Sequence, residues 1–216
     1  MLQAILDEMR SLGNPNASQE MARFGIRATN VIGLSVPQLR SIAHRVGRDQ
    51  AMAEQLWATG IHDARILASL VGDPRKITRT TIDRWTGDFA SWDICDACCC
   101  NLFDRTSYRW QKIRKWAKND GEFVRRAAFA TLAGLAVHDK AAEDRMFLDA
   151  LPLIEEYAFD DRNFVRKGVN WALRNIGKRN ASLRPPAIAC AQRIRAQGTK
   201  AARWIAADAL RELSRL

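Results

Sequence analysis

The sequence predicts an all-α protein built as a stack of helix pairs, on three observations. Nearly every segment carries apolar residues at a period of about 3.6, and none sustains the period-2 alternation of a half-buried strand. Breaks rich in Gly, Asn, Asp and Pro recur at short intervals, so consecutive helices should pack as antiparallel neighbours. The third observation is internal repetition. Phe123-Val124-Arg125-Arg126-Ala127-Ala128 is repeated 41 residues on as Phe164-Val165-Arg166-Lys167-Gly168-Val169. A weaker copy, Ala202-Arg203-Trp204-Ile205-Ala206-Ala207, places Arg203 37 residues after Arg166. His62-Asp63-Ala64-Arg65-Ile66-Leu67-Ala68 is an earlier, degenerate copy. A period of about 40 with one helix pair per repeat is the pattern of HEAT- and armadillo-like α-solenoids, here expected to offer a concave basic face.

Taken in order, helices are predicted over 2–11, 18–23, 36–46, 49–58, 62–71, 78–86, 91–103, 105–117, 121–137, 140–157, 162–178, 182–196 and 199–214. Gly13-Asn14-Pro15-Asn16 ends the first, and Ser35 with Pro37 reads as an N-cap and early helical proline opening the third around Leu39. Gly33, Gly47, Gly60, Gly72-Asp73-Pro74, Asn119-Asp120-Gly121 and Gly198 mark further breaks. No linker or low-complexity run divides the chain, so a single HEAT-like repeat domain is expected over 1–216.

Helix 162–178 shows what the non-core face carries. Val165, Val169, Ala172 and Ile176 form its core stripe. Lys167, Trp171, Arg174 and Lys178 keep the same spacing, rotated by roughly half a turn. A tryptophan thus sits in a basic stripe opposite the core. Either it packs under the aliphatic stems of Lys167 and Arg174, or its ring is offered to a ligand. In the repeat register Lys167 falls on Arg126. Arg65, Arg125 or Arg126, Lys167, Arg174 and Arg203 therefore form a stripe able to follow a phosphate backbone. Helix 105–117 adds Arg105, Tyr108, Arg109, Lys112, Arg114 and Lys115, with Lys118 close by, and its Trp110 and Trp116 are expected in the core.

Composition narrows the function classes. Among 216 residues, 47% hydrophobic and 27% charged is ordinary for a soluble globular protein. Lys and Arg number 34 against 24 Asp and Glu, a net charge of +10 that favours a polyanionic partner, nucleic acid ahead of a membrane. The first ten residues, Met1 to Arg10, carry charges where a signal peptide is apolar, and no run of about 18 apolar residues occurs. A soluble, cytoplasmic, monomeric protein is expected. Five cysteines, four of them between Cys95 and Cys100, make no disulfide framework. Cys98, Cys99 and Cys100 point in three directions on a helix, and His44, His62 and His138 lie far away in sequence. Buried, reduced thiols with no metal and no cofactor are expected.

The sharpest stretch is Ser91-Trp92-Asp93-Ile94-Cys95-Asp96, followed by Ala97-Cys98-Cys99-Cys100-Asn101-Leu102-Phe103. On a helix, Ile94, Cys95, Cys98 and Leu102 gather on one side, while Trp92 and Asp96, one turn apart, share a face away from it. Trp is costly to leave in water and Asp costly to bury, so the pair suggests an occupied cleft. The plainer reading is a Trp covering a helix seam with Asp96 in a surface ion pair.

The helical repeats, Trp92-Asp93-Ile94-Cys95-Asp96, Arg126-Ala127-Ala128-Phe129 and Trp171-Ala172-Leu173-Arg174 together resemble the HEAT-like DNA alkylation repair glycosylases, the AlkD-like family. The similarity runs from about Phe24 to the C-terminal helix. It implies that Trp92, Asp96, Arg126 and Trp171 form a catalytic cleft, and that the partner is double-stranded DNA containing alkylated bases. Arg125, adjacent to Arg126, competes for the same role. The Cys98-Cys99-Cys100 run and the longer spacing from Arg126 to Trp171 depart from the family pattern and leave the substrate open. A glycosidase ordinarily uses two carboxylates, and only Asp96 is on offer. A purine alkylated at N3 or N7 is already cationic and leaves as a neutral base, so one carboxylate can suffice to stabilise the oxocarbenium ion and place water. The alternative is a non-catalytic HEAT-repeat module that binds nucleic acid or an acidic protein.

Overall fold

Capping groups set where several helices begin. Ser35 and Gln38 close a reciprocal capping box at the third helix, with Pro37 in its first turn. Asp49, Thr78 and Thr199 each accept from a backbone N–H in the first turn of the helix they precede. The computed structural model describes residues 1–215. It contains fourteen α-helices and one 3-10 turn among these residues, and no strand. No helix among them is long and apolar enough to cross a membrane.

The described chain falls into two compact units, meeting in sequence at Ser107 and Tyr108. The first holds α1 (Leu2–Leu12), α2 (Ala17–Ala22), α3 (Val36–Val46), α4 (Gln50–Ala58), α5 (His62–Val71), α6 (Arg79–Gly87), α7 (Trp92–Asn101) and the 3-10 turn Phe103–Arg105. α5 packs against α3, α4 and α7. Met9, Leu39, Leu56, Leu67 and Ile82 fill its core, and the rings of Trp57 and Trp85 stack with centroids 4.2 Å apart and planes 4° from parallel.

The second unit holds α8 (Arg109–Ala117), α9 (Glu122–His138), α10 (Asp144–Leu148), α11 (Leu151–Glu156), α12 (Asn163–Arg179), α13 (Arg184–Ala196) and α14 (Lys200–Leu213). α9 and α12 lie side by side, α8 covers α9, and α13 and α14 pack on α12. The stripe Val165, Val169, Ala172 and Ile176 is fully buried, as its spacing predicts. Trp116 is buried; Trp110 is only partly so, edge-on to Phe147 at 5.5 Å.

Three predicted helix bounds change. The helix expected over 91–103 ends at Asn101, because Leu102 leaves helical geometry before the 3-10 turn. The one expected from 105 begins at Arg109, after an extended Thr106. The segment 140–157 is two short helices rather than one. Pro152 has no N–H for an i−4 carbonyl and occupies the first turn of α11, so the chain restarts there. Asp139 accepts from Ala142 N–H at 3.2 Å and holds the preceding turn open.

Candidate functional site

In the first unit the site residues sit on the opening turns of α7. Ser91 is extended, and its hydroxyl donates to Asp93 Oδ1 at 2.6 Å instead of capping the helix. Ile94 N–H reaches the same oxygen at 3.0 Å, and His62 Nε2 lies 2.7 Å from Asp93 Oδ2. Burial pushes the Asp93 pKa up, but the bonds from His62, Ser91 and Ile94 outweigh it and hold the carboxyl below its ordinary value. An ionised carboxylate only accepts, so His62 donates through Nε2.

The same corner fastens an otherwise irregular stretch. His62 N–H donates to Asn30 O at 2.8 Å, and the buried Asp63 carboxylate accepts from Ile32 N–H and Leu34 N–H, both at 2.7 Å, and from Gly33 N–H. Trp92 Nε1 donates to Phe24 O at 3.0 Å. The first turn of α7 is therefore tied both to α5 and to the segment 24–34. Ile94, Cys95, Cys98 and Cys99 occupy the buried side of α7, while Trp92 and Asp96 are both half-buried on its other side, as their spacing predicts. Cys98 is fully buried, and burial holds its thiol pKa well above the ordinary value. Among the described residues no group of three or more His, Cys, Asp or Glu is placed to hold a metal ion.

His62, Asp63 and Asp93 escape sequence reading. Asp93 follows Ser91 by two residues, which signals a local turn bond but not its tie to a histidine on another helix. Arg65, expected on the basic stripe, lies over the Trp57 ring at 5.0 Å and 3.9 Å from Asp88.

In the second unit the two adjacent arginines of α9 part company. Arg125 is 8% exposed and fully committed. Its Nε donates to Ala117 O at 2.9 Å, Nη1 to Asp160 at 2.6 Å and Nη2 to Asp120 at 3.2 Å, with the guanidinium 5.0 Å from the Tyr157 ring. Asp160 also receives Arg162 Nε at 2.9 Å. Burial raises the Asp160 pKa, and the Arg162 and Arg125 bonds overcome that to leave it lowered. Arg125, expected as a DNA contact, is thus an internal clamp rather than part of an exposed stripe. Arg126 donates through Nη1 to Phe164 O at 2.6 Å, locking α9 to the start of α12.

On α12, Lys167 is exposed and Trp171 half-buried, on the side away from the core stripe. Arg174 and Lys178 keep that side, and each is paired with a carboxylate. Arg174 lies 2.7 Å from Glu212 and 3.4 Å from Asp208, and Lys178 lies 2.8 Å from Glu212. The Lys178 bond is the main reason the Glu212 pKa is lowered. The sequence predicts Arg174 and Lys178 on a phosphate-binding stripe; the structure pairs both with carboxylates of α14, one repeat further on. Arg203 is exposed on α14 and donates through Nη1 to Gly198 O at 2.5 Å.

A protein-family model described as DNA alkylation repair enzyme matches residues 5–213. No curated protein matches the chain. A solved structure is similar with a TM-score of 0.79 at 19% identity, over 89% of this chain and 82% of that one. It is described as "a new family of proteins related to the HEAT-like repeat DNA glycosylases with affinity for branched DNA structures". At that identity the likeness shows the fold, an all-α stack of HEAT-like helical repeats.

Proposed function

Since the chain belongs to the DNA alkylation repair enzyme family, we propose that it is a DNA glycosylase that hydrolyses the N-glycosidic bond of cationic alkylated purines in duplex DNA. The observation that carries this reading is the pairing of Trp92 and Asp96 on the non-core side of α7, with the helix start fixed by Asp93, His62 and the Trp92–Phe24 bond. A face that only grips phosphates gains nothing from a carboxylate, whereas an oxocarbenium ion does.

Asp96 faces the sugar as positive charge develops at its anomeric carbon and orients the attacking water. The leaving purine carries its own positive charge and departs neutral, so no second carboxylate needs to donate a proton. Beside Asp96 on the same turn, Trp92 offers a π-face to the cationic nucleotide. Arg126, fixed by Phe164 O, and the exposed Lys167 supply charge for the flanking phosphates.

The test is lesion choice. Incubation with matched duplexes should release 7-methylguanine or 3-methyladenine and leave hypoxanthine and uracil in place. General acid catalysis is worth about 100- to 10,000-fold, so its absence shows clearly in that comparison. Excision of hypoxanthine at a similar rate would require a proton donor and sink this mechanism. A second reading, non-catalytic DNA binding, is favoured by the affinity for branched DNA ascribed to the similar structure. Duplex or branched-DNA binding without release of any base would select it.

A further inference from the structure

The C-terminal helix pair carries a second concentration of positive charge, separate from the α9 and α12 residues. An open groove of about 700 Å³ between α13 and α14 is lined by Arg195, Arg203, Arg211 and Arg215, with Ala207 and Leu210 as its apolar floor. No carboxylate lines it among the described residues. Arg203, Ala207 and Arg211 recur every fourth residue on the exposed side of α14, opposite the buried Ala202, Ile205, Ala206 and Ala209.

The repeat register explains why this charge stands open. Where Arg203 falls on Arg166, Arg211 falls on Arg174 and Arg215 on Lys178. On α12 the earlier members are answered: Arg174 and Lys178 by Asp208 and Glu212, and Arg166 by the Trp204 ring, 5.1 Å away. Among the described residues of α14, Arg211 is paired with Asp208, which it shares with Arg174. Arg203 donates to a backbone carbonyl.

We infer that this groove is a second phosphate-binding face, which holds the backbone of a DNA duplex in addition to the contacts made around the lesion. Three features fit that occupant. All four cations are guanidiniums, whose planar fork matches phosphate oxygens two at a time. The groove is open rather than enclosed, as a helical polyanion requires. From Arg203 to Arg211 the helix advances roughly 12 Å at about 1.5 Å per residue. That is the axial rise of about three to four successive phosphates at about 3.4 Å per step. The inference rests on the reading of this protein as one that acts on DNA.

The experiment compares the wild type, Arg195→Ala/Arg211→Ala/Arg215→Ala and the corresponding triple Lys variant on an unmodified duplex across a salt titration. Each phosphate contact contributes about 0.9 to the slope of log K against log salt. The Ala variant should lose roughly 2 to 3 units of slope and the Lys variant should keep most of it, while base release at saturating DNA stays at the wild-type rate. An Ala variant with the wild-type slope would overturn the second face and leave the proposed function standing. Loss of binding to polyglutamate with the duplex slope intact would overturn it in favour of an acidic protein partner. A wild type with no duplex affinity would remove the reading beneath both.

Discussion

Replacing Asp96 with asparagine keeps the shape of the side chain and removes the charge that would face the oxocarbenium ion. Loss of one preorganised electrostatic group costs on the order of 100- to 1000-fold in rate. Asp96→Asn should therefore abolish measurable 7-methylguanine release while duplex binding stays near the wild-type value. A variant that keeps more than about a tenth of the rate would take Asp96 out of the mechanism. At this scale the sequence is informative where one helix holds both partners: Trp92 and Asp96 share a face because 3.6 residues make about one turn. It is silent where the deciding group is remote. Arg125 and Arg126 are neighbours of identical chemistry, and what separates them is Asp160, 35 positions along the chain, which takes Arg125 inward.

Along α12, two glycines make opposite demands on their neighbours, and both can be tested. A Cβ at Gly168 would meet Arg126 Cγ and Phe129 Cβ at 3.5 Å, an ordinary contact with α9. Gly168→Ala should raise stability by about 0.5–1 kcal/mol, since Gly in a helix interior costs that much against Ala. At Gly177 the same atom would lie 2.7 Å from both Cδ atoms of the buried Leu213 and 3.1 Å from Ala187 Cβ. There α13 and α14 press against the helix, and overpacking of about 1–3 kcal/mol outweighs the propensity gain. Urea unfolding of the two variants should move the midpoint in opposite directions; a shift of the same sign would mean that α12 is not packed this closely. The 3.6-residue period is enough to reveal both α12 stripes, because each is a property of one helix. It misplaces α10 and α11, because a proline in a helical pattern can begin a helix or break one, and only the chain around it decides which.

Over the molecule, the acid limb of stability follows from carboxylates held by arginines. The Asp160 carboxyl titrates below its ordinary range when folded, so its contribution is complete above the unfolded value of about 3.9 and is lost as pH falls through the folded value. Asp160→Asn leaves Arg125 and Arg162 without that counter-charge, and breaking a buried pair this way costs about 3–5 kcal/mol. The deficit relative to wild type should be full at neutral pH and shrink below about pH 4 as the wild type loses the same charge. A constant deficit across that range would mean that the Asp160 charge is not what holds the clamp. The net charge of +10 is legible in composition, but its placement is not. Which cations are answered depends on carboxylates a repeat away, as Asp208 and Glu212 do for Arg174 and Lys178.

The thiols of α7 bear on survival in the setting proposed for this protein. Electrophiles that methylate purines also consume thiolates, and cysteine reacts only in that ionised form. Cys95, Cys98 and Cys99 are sealed in the interior, and burial keeps Cys98 protonated far above neutral pH. Their burial shields these three thiols from such electrophiles. Cys100, half-buried at the edge of the same helix, is the member of the run most open to such wear.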